Sequence, residues 1–541
     1  MGFSGVDSFV YLDGGVERTV RIEVGLTGSG PALAVNDTAS MGGGAGDIAG
    51  LTDGGYVVTW VVGTGGSTRG IYAQRYDADG VEVGSEVFIS KAGSSSSGFP
   101  SNPTVSGLSD GGFVVSWALG VNNVARIEAQ AFDAAGGAVG SVVTVDVSNS
   151  DQSPEVTGLQ YGGYAVTWTV AQKVSVRTFD NDGTPRSNEL ILDSGGNINN
   201  VAIPDVIALS GGGFLVAWTN FSTAKHIAQR FDSFGEPVGA ELEIFDATLG
   251  VFSSTTTLAL LEDGGFVASW VSSGQDGDGT AIMARIFDID GVPQGAAFVA
   301  NDQTAGSQTA PSLASLPGGG FIAAWVSDQG DGDGTGVFAR QFDADGNPIG
   351  NQFMVSDAAV GNQTNIEVTA LADGRIAFSW SGPEGSGNGI FSRILSLGTD
   401  NHDNLQGDAQ EDYLLGFGGN DVLTGNGGND VFDGGAGNDT LYGGTGSDTF
   451  VYNDIVDAGD LIDGFDATGV DSIDLDALLD GLGVADVDRS SRVDVQQAGI
   501  GQDAVISVDT TGDAVFDTVL ATVTNVTGDL DQNDLNLGTL V

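Results

Sequence analysis

All seven tryptophans of this 541-residue chain close the same phrase. It reads DGGYVVTW to Trp60, DGGFVVSW to Trp117, YGGYAVTW to Trp168 and GGGFLVAW to Trp218, then DGGFVASW to Trp270, GGGFIAAW to Trp325 and DGRIAFSW to Trp380. The phrase recurs every 50–57 residues, which makes the region one supersecondary unit repeated. Within a unit, four short β runs follow one another between turn residues. In the second they are PTVSGL (103–108), GFVVSW (112–117), RIEAQAFD (126–133) and SVVTVDV (141–147). Both faces of GFVVSW are apolar or small, which suits a strand covered on both sides. Helical periodicity is absent. The spacing predicts an all-β fold with a seven-bladed β-propeller over residues 31–397. The seventh unit has only three strands, and ALAVNDTASMGGGAGDIAGL (32–51) lines up with AFVANDQTAGSQTAPSLASL (297–316). Residues 32–37 are therefore expected to close the last blade.

Charge narrows the partners. The chain holds 17 Lys+Arg against 72 Asp+Glu, a formal −55. From residue 400 onward there are 29 acidic residues and two basic ones, Arg489 and Arg492. Such a surface repels nucleic acid and anionic lipid and attracts hard cations. With no Cys, disulfides, thiolate zinc sites and cysteine nucleophiles are excluded. No run of 18 apolar residues predicts a membrane span, and MGFSGVDSFVYLDGG lacks the basic and apolar regions of a signal peptide. Catalysis finds little support. His226 and His402 fall in different modules, and neither a histidine zinc motif nor a G-x-S-x-G elbow is present.

The turn after the third strand reads YDADG (76–80), FDAAG (132–136), FDNDG (179–183), FDSFG (231–235), FDIDG (287–291) and FDADG (342–346). Two readings stand: a D-x-D-G calcium half-site, or a hairpin turn with Asp and Gly in their usual positions. The turn is preferred because the downstream ligands of a full loop are missing. QDGDGT (275–280) and DQGDGDGT (328–335) also resemble calcium loops. Gln74, Gln130, Arg177, Gln229, Arg285, Arg340 and Arg393 share one position of the third strand. They are expected to bond backbone groups or acidic loops of the adjacent blade rather than to line a binding surface.

From residue 398 the composition changes to six nonapeptides: GTDNHDNLQ, GDAQEDYLL, GFGGNDVLT, GNGGNDVFD, GGAGNDTLY and GGTGSDTFV. Asp fills the sixth position of each (Asp403, Asp412, Asp421, Asp430, Asp439, Asp448), and Leu or Phe the eighth. The stretch resembles the RTX repeat, G-G-x-G-x-D-x-U-x. That resemblance implies a parallel β-roll over 398–451 in which two nonapeptides make one coil and bind Ca²⁺. Its ligands would be the six aspartates and turn carbonyls at Gly416, Gly418, Asn420, Gly425, Gly427, Asn429, Gly434, Ala436, Asn438, Gly443, Thr445 and Ser447. Turns 18 residues apart would pair Asp421 with Asp439 and Asp430 with Asp448. Weaker sites would pair Asp412 with Asp430 and Asp403 with Asp421. Without the ion, stacked carboxylates repel, and one apolar residue in nine does not offset chain entropy.

DLIDGF (460–465), DSIDLDALL (471–479) and the end DLDQNDLNLGTLV (529–541) resemble the tail of RTX proteins exported by type I secretion. The resemblance implies that 452–541 is a small β-rich target domain read by the type I secretion machinery of a Gram-negative bacterium. It places the protein outside the cell or on its surface, and it accounts for the missing signal peptide. Residues 1–30 read as a hairpin, either the remnant of an Ig-like or cadherin-like module or an ordinary N-terminal hairpin packed on the propeller. The expected function is an extracellular, calcium-dependent platform that binds or adheres to cell-surface glycans or proteins. The alternative is an exported propeller hydrolase acting on a polysaccharide or another extracellular polymer.

Overall fold

Six free-standing four-stranded blades form, not the seven expected. The computed structural model describes residues 5–537 apart from 14–15, 25–32, 36–43, 63–69, 92–99, 122–123, 149–151, 171–172, 193–203, 221–224, 246–251, 317–318, 329–333, 357–360, 385–386, 400, 408–411, 468–470, 485, 513–514 and 529. Blade 1 runs Gly44–Gly50, Tyr56–Val62, Gly70–Tyr76 and Glu82–Lys91, each strand antiparallel to the next, and blades 2 to 6 repeat this order up to Met354. The seventh unit supplies Thr364–Ala370, Ile376–Glu384 and Gly387–Leu397 to a nine-stranded sheet that continues into the nonapeptide region. It has no sheet of its own because its outer edge is shared. Leu33 and Ala34 pair antiparallel with Ser392 and Phe391, while Leu414 and Leu415 pair parallel with Ser396 and Leu397. Of the segment 32–37, residues 32, 36 and 37 lie outside the described residues. Thr364–Ala370 packs between Gln308–Ser315 of blade 6 and Gly44–Gly50 of blade 1, so the inner strands still meet in a circle.

The repeated phrase explains the blades. The first glycine of DGG needs a left-handed backbone, with φ of +95° at Gly54 and +91° at Gly111. The second lies so close to the third strand that a Cβ would overlap a carbonyl oxygen, Tyr76 O at Gly55 and Phe132 O at Gly112. The aromatic that follows stacks on the aromatic before the turn Asp: Tyr56 on Tyr76 at 4.9 Å, Phe113 on Phe132 at 4.8 Å, Phe266 on Phe287 at 4.8 Å. Each Trp is a wedge between blades; Trp117, fully buried, packs with Val57 and Ala73 of the blade before it. A buried aromatic of this size is a dominant contributor to such an interface.

The D-x-D-G segments are hairpin turns. The first Asp accepts two backbone N–H groups of its own turn: Asp77 Oδ1 from Asp79 and Val81 (3.1 and 2.9 Å), Asp343 Oδ1 from Asp345 and Asn347 (2.9 and 2.8 Å). The long polar residues of the third strand brace backbone. Arg177 donates to Val145 O of the previous blade at 3.0 Å, and Gln130 to Ala131 O and Val139 O at 2.9 and 2.8 Å. His226 is fully buried beside Thr219 and Thr256, and burial lowers its pKa to about 4, so it is a neutral core residue.

Four carboxylates line the propeller axis at one register position. Asp47, Glu155, Asp205 and Glu367 each stand opposite the residue that precedes a Trp: Thr59, Thr167, Ala217 and Ser379. Asp47 bridges blades by accepting Val105 N–H at 2.6 Å, and Asp205 by accepting Leu258 N–H at 2.6 Å. Burial pushes Asp47 up to about 7 and Asp205 up to about 6, and it raises Glu155 and Glu367 strongly, with mutual repulsion adding to the effect. Because these folded values lie above the unfolded ones, the stability tied to protonation is complete below about pH 4. It is lost as pH rises through 6–7. The blade transition should therefore melt several degrees lower at pH 8 than at pH 5 by calorimetry. Glu155→Gln should recover part of that loss at pH 8 and change little at pH 5.

No helix among the described residues is long and apolar enough to cross a membrane. The only α-helix among them is the short Asp476–Gly481.

Candidate metal centre

The described residues of 404–451 form two parallel ladders that advance 18 residues per coil. Leu405, Leu423 and Leu441 align on one side, and Leu414, Phe432 and Phe450 on the other. These eighth-position side chains fill the narrow space between the ladders, where Phe432 and Phe450 stack at 5.1 Å. The ladders continue past the nonapeptides through Asp460–Asp463 and Ser472–Asp474. A sheet of Val493–Gln497, Ala504–Val508 and Thr518–Thr524 then covers the end. One apolar core runs from Leu414 to Leu537, so the coil and its C-terminal cap are a single packing unit.

The sixth-position aspartates sit where the turns stack. Each lends Oδ1 to the amide of the aspartate one coil earlier: Asp421 to Asp403 at 2.7 Å, Asp430 to Asp412 at 2.9 Å, Asp439 to Asp421 at 2.7 Å and Asp448 to Asp430 at 3.0 Å. Partners 18 residues apart thus meet through an amide–carboxylate bond, not with two carboxylates face to face. Oδ2 is left over; in Asp421, Asp439 and Asp448 it is buried and accepts no hydrogen bond. A buried carboxylate oxygen without a partner is costly. Burial raises these groups in the absence of an ion, Asp421 to about 6 and Asp439 to about 7.

The orphaned oxygen faces a cradle that glycine keeps open. A Cβ on Gly416 would lie 2.5 Å from both Asp421 Oδ2 and Gly434 O of the next coil, and one on Gly425 would meet Asp430 Oδ2 and Gly443 O. Carboxylate and carbonyl oxygens therefore converge on the first glycine of the first four units, and at Gly434 and Gly443 the carboxylates of Asp439 and Asp448 take the same place. Such an all-oxygen set suits a hard cation, calcium over zinc or copper. Among the described residues no three His, Asp or Glu side chains cluster, because each turn contributes one carboxylate and the rest is backbone.

The remaining turn residues build the stack. Asn438 N–H bonds Asn420 Oδ1 at 3.0 Å and Ser447 N–H bonds Asn429 Oδ1 at 2.9 Å. Ala436 N–H bonds Phe417 O at 2.7 Å, Gly418 N–H bonds Thr399 O at 3.2 Å, and Gly427 bridges Thr445. The fifth-position asparagines thus act through their side chains as well as offering carbonyls. The first unit differs: Asp403 Oδ2 accepts Thr399 N–H at 2.7 Å and its hydroxyl at 2.8 Å, which leaves little for an ion.

Two aspartates of the coil escaped the nonapeptide count, and one arginine of the propeller reaches the coil. Asp460 and Asp471 extend both aspartate files by one step, accepting the amides of Asp439 and Asp448 at 2.9 and 3.0 Å. They stand 21 and 23 residues after those partners instead of 18, so a fixed period passes over them. Arg375 replaces the second glycine of the seventh DGG phrase. It donates to Asp79 of blade 1 at 2.8 Å and to Asp373 at 2.9 Å, and it lies 4.0 Å from Asp412 of the coil. The break in the phrase was the available signal.

A comparison with known protein families falls on this region. The family model of the RTX calcium-binding nonapeptide repeat (4 copies) matches residues 397–432 and 415–450. No curated protein matches the chain. Among solved structures, a protein of unknown function from Dyadobacter fermentans is 12% identical, covers 68% of this chain and 98% of its own, and has a TM-score of 0.43. An alpha-L-arabinanase of Penicillium chrysogenum, complexed with arabinobiose, is 11% identical with 68% and 98% covered and a TM-score of 0.42. The AlgE6R3 subunit of the Azotobacter vinelandii mannuronan C5-epimerase is 32% identical, covering 26% of this chain and 79% of its own at a TM-score of 0.20.

Proposed function

We infer, from a chain that carries RTX calcium-binding nonapeptide repeats at residues 397–450, that calcium folds the coil after the protein has left the cell. The ions would be held by Asp421, Asp430, Asp439 and Asp448 with turn carbonyls of facing coils, and more weakly at Asp412 and Asp403. The boundaries follow: a hairpin at 1–30, the propeller at 31–397, the calcium coil at 398–451 and a type I secretion target domain at 452–541. Within this division residues 32–37 latch the ring, supported by Val35 N–H on Ile390 O at 2.8 Å. Deleting residues 1–40 should lower the propeller's Tm sharply in calorimetry; an unchanged Tm removes the latch.

The propeller serves as a binding or adhesion platform for cell-surface glycans or proteins. The observation that carries this reading is an apolar row on the hairpin-turn end: Tyr161, Phe234 and Ile289, in blades 3, 4 and 5, are 74%, 61% and 54% exposed. The Tyr161 ring lies over Gly212 of the neighbouring blade, so the row crosses a blade boundary. Exposed apolar patches of this kind mark interaction surfaces. The rival reading, a polysaccharide hydrolase, would draw on the axial carboxylates, but Asp47 and Asp205 each give both oxygens to backbone amides. A glycan and surface-protein array in Ca²⁺, run beside a hydrolase panel, tests the choice. Retention lost in Tyr161→Ala/Phe234→Ala is expected. Polymer cleavage lost in Glu155→Gln would favour the hydrolase.

A further inference from the structure

Where the outer edge of blade 6 meets the coil, a cavity of about 480 Å³ lies between Phe338 and Phe353 on one side and Tyr413, Phe417, Asp433 and Asp457 on the other. That volume falls within the range of small-molecule sites, about 300–1,000 Å³. Phe417 holds the second position of its nonapeptide at φ +68°, where the next three coil turns carry Asn426, Gly435 and Gly444. A bulky residue in the left-handed region is strained, and here the strain sets an aromatic ring 6.2 Å from that of Phe353.

Opposite the rings the wall is acidic. Asp457 is 6% exposed, and its Oδ2 accepts the amides of Asn453 and Asp454 at 3.0 and 2.8 Å. Asp433 beside it is oriented by Asn453 Nδ2 at 2.7 Å. No Lys, Arg or His is among the described residues lining the cavity. Two adjacent carboxylates lining one recess focus a negative potential that a cation would relieve. An anion would be repelled, and an uncharged sugar would leave both carboxylates uncompensated. A bare metal ion would gain nothing from the rings, whereas an ammonium group is attracted to their faces.

We propose that this cavity binds a small organic cation, with its ammonium group held by Asp457 and Asp433 and its alkyl part against Phe353 and Phe417. The proposal rests on the calcium reading only in that the coil forming one wall must be folded.

Isothermal titration of the full chain with choline, in saturating Ca²⁺ and with circular dichroism confirming the folded coil, tests it. One site is expected. Asp457→Asn should weaken binding at least tenfold, and Phe353→Ala, on the propeller wall and away from the calcium turns, severalfold. The uncharged isostere 3,3-dimethylbutan-1-ol and the sugar cellobiose should give no heat. Absence of choline binding to a folded chain, or equal binding of the isostere or cellobiose, overturns the proposal. A coil that stays folded in chelator and still takes choline would overturn the calcium reading and leave this one standing.

Discussion

A chelator added to the full chain should unfold the coil and its C-terminal cap while the six blades stay folded. The two regions are held together by different forces. Each blade buries a Trp against its neighbour and stacks paired aromatics inside its own sheet, so its core is built from apolar side chains. Between its ladders the coil has one large apolar side chain per nonapeptide, at the eighth position, while Tyr413, Leu415, Val431 and Val451 pack outward against blade 6 and the seventh unit. Its turns hold a file of enclosed carboxylates, three of which keep an orphaned oxygen. Each filled site contributes RT ln(1 + [Ca]/Kd), about 2.7 kcal/mol at a hundredfold excess over Kd. Removing several such terms exceeds the margin of a segment this thin. Because Leu414 through Leu537 form one core, residues 460–537 should be lost with the repeats. Calorimetry in calcium should show two transitions and in chelator only that of the blades. A blade transition that also vanishes in chelator would mean that the propeller, too, depends on the ion.

Asp439→Asn should change sign with calcium. Its amide oxygen can still accept the Asp421 N–H that Asp439 Oδ1 now takes at 2.7 Å, so the stacking bond survives. What disappears is the negative charge. In saturating calcium one site is weakened, and the coil should melt lower, by up to about 2.7 kcal/mol for a site fully lost. Without calcium the effect reverses. Burial, followed by the charges of Asp421 and Asp457, raises the Asp439 carboxyl to about 7, so its ionised form disfavours the folded coil. With the folded value above the unfolded one, this stability is complete below about pH 4 and lost as pH rises through 7. At pH 8 in chelator the variant should keep more β signal than the wild type, and below pH 5 the two should converge. Equal effects of one sign with and without calcium would show that Asp439 is structural and not a ligand.

The sequence carried more of the coil than of the propeller's closure. A nine-residue period in Gly, Asp and Leu or Phe is a one-dimensional signal, and the ladders follow it residue for residue up to Val451. Beyond that point the coil continues with insertions, so Asp460 and Asp471 kept their places in the stack while losing their places in the count. The tryptophan phrase likewise encodes a blade, because left-handed turns, close backbone approach and aromatic stacking are all local. The number of separate blades is not local. It turns on which partner takes the outer edge of Gly387–Leu397, and Leu33–Ala34 and Tyr413–Leu415 share that edge. The axial ring was also illegible in any single unit, since the carboxylates of blades 1, 3 and 4 and of the seventh unit meet only when the inner strands form a circle.

Hydrogen exchange of the full chain, with and without calcium, tests the central claim most directly. The amides of Asp421, Asp430 and Asp439, each donating to an aspartate carboxylate of the following coil, should be protected for hours in calcium and exchange within seconds in chelator. The strands Phe113–Val121 and Phe266–Ser273, which carry Trp117 and Trp270, should be protected in both. Protection of residues 416–451 that is the same with and without calcium would contradict the account.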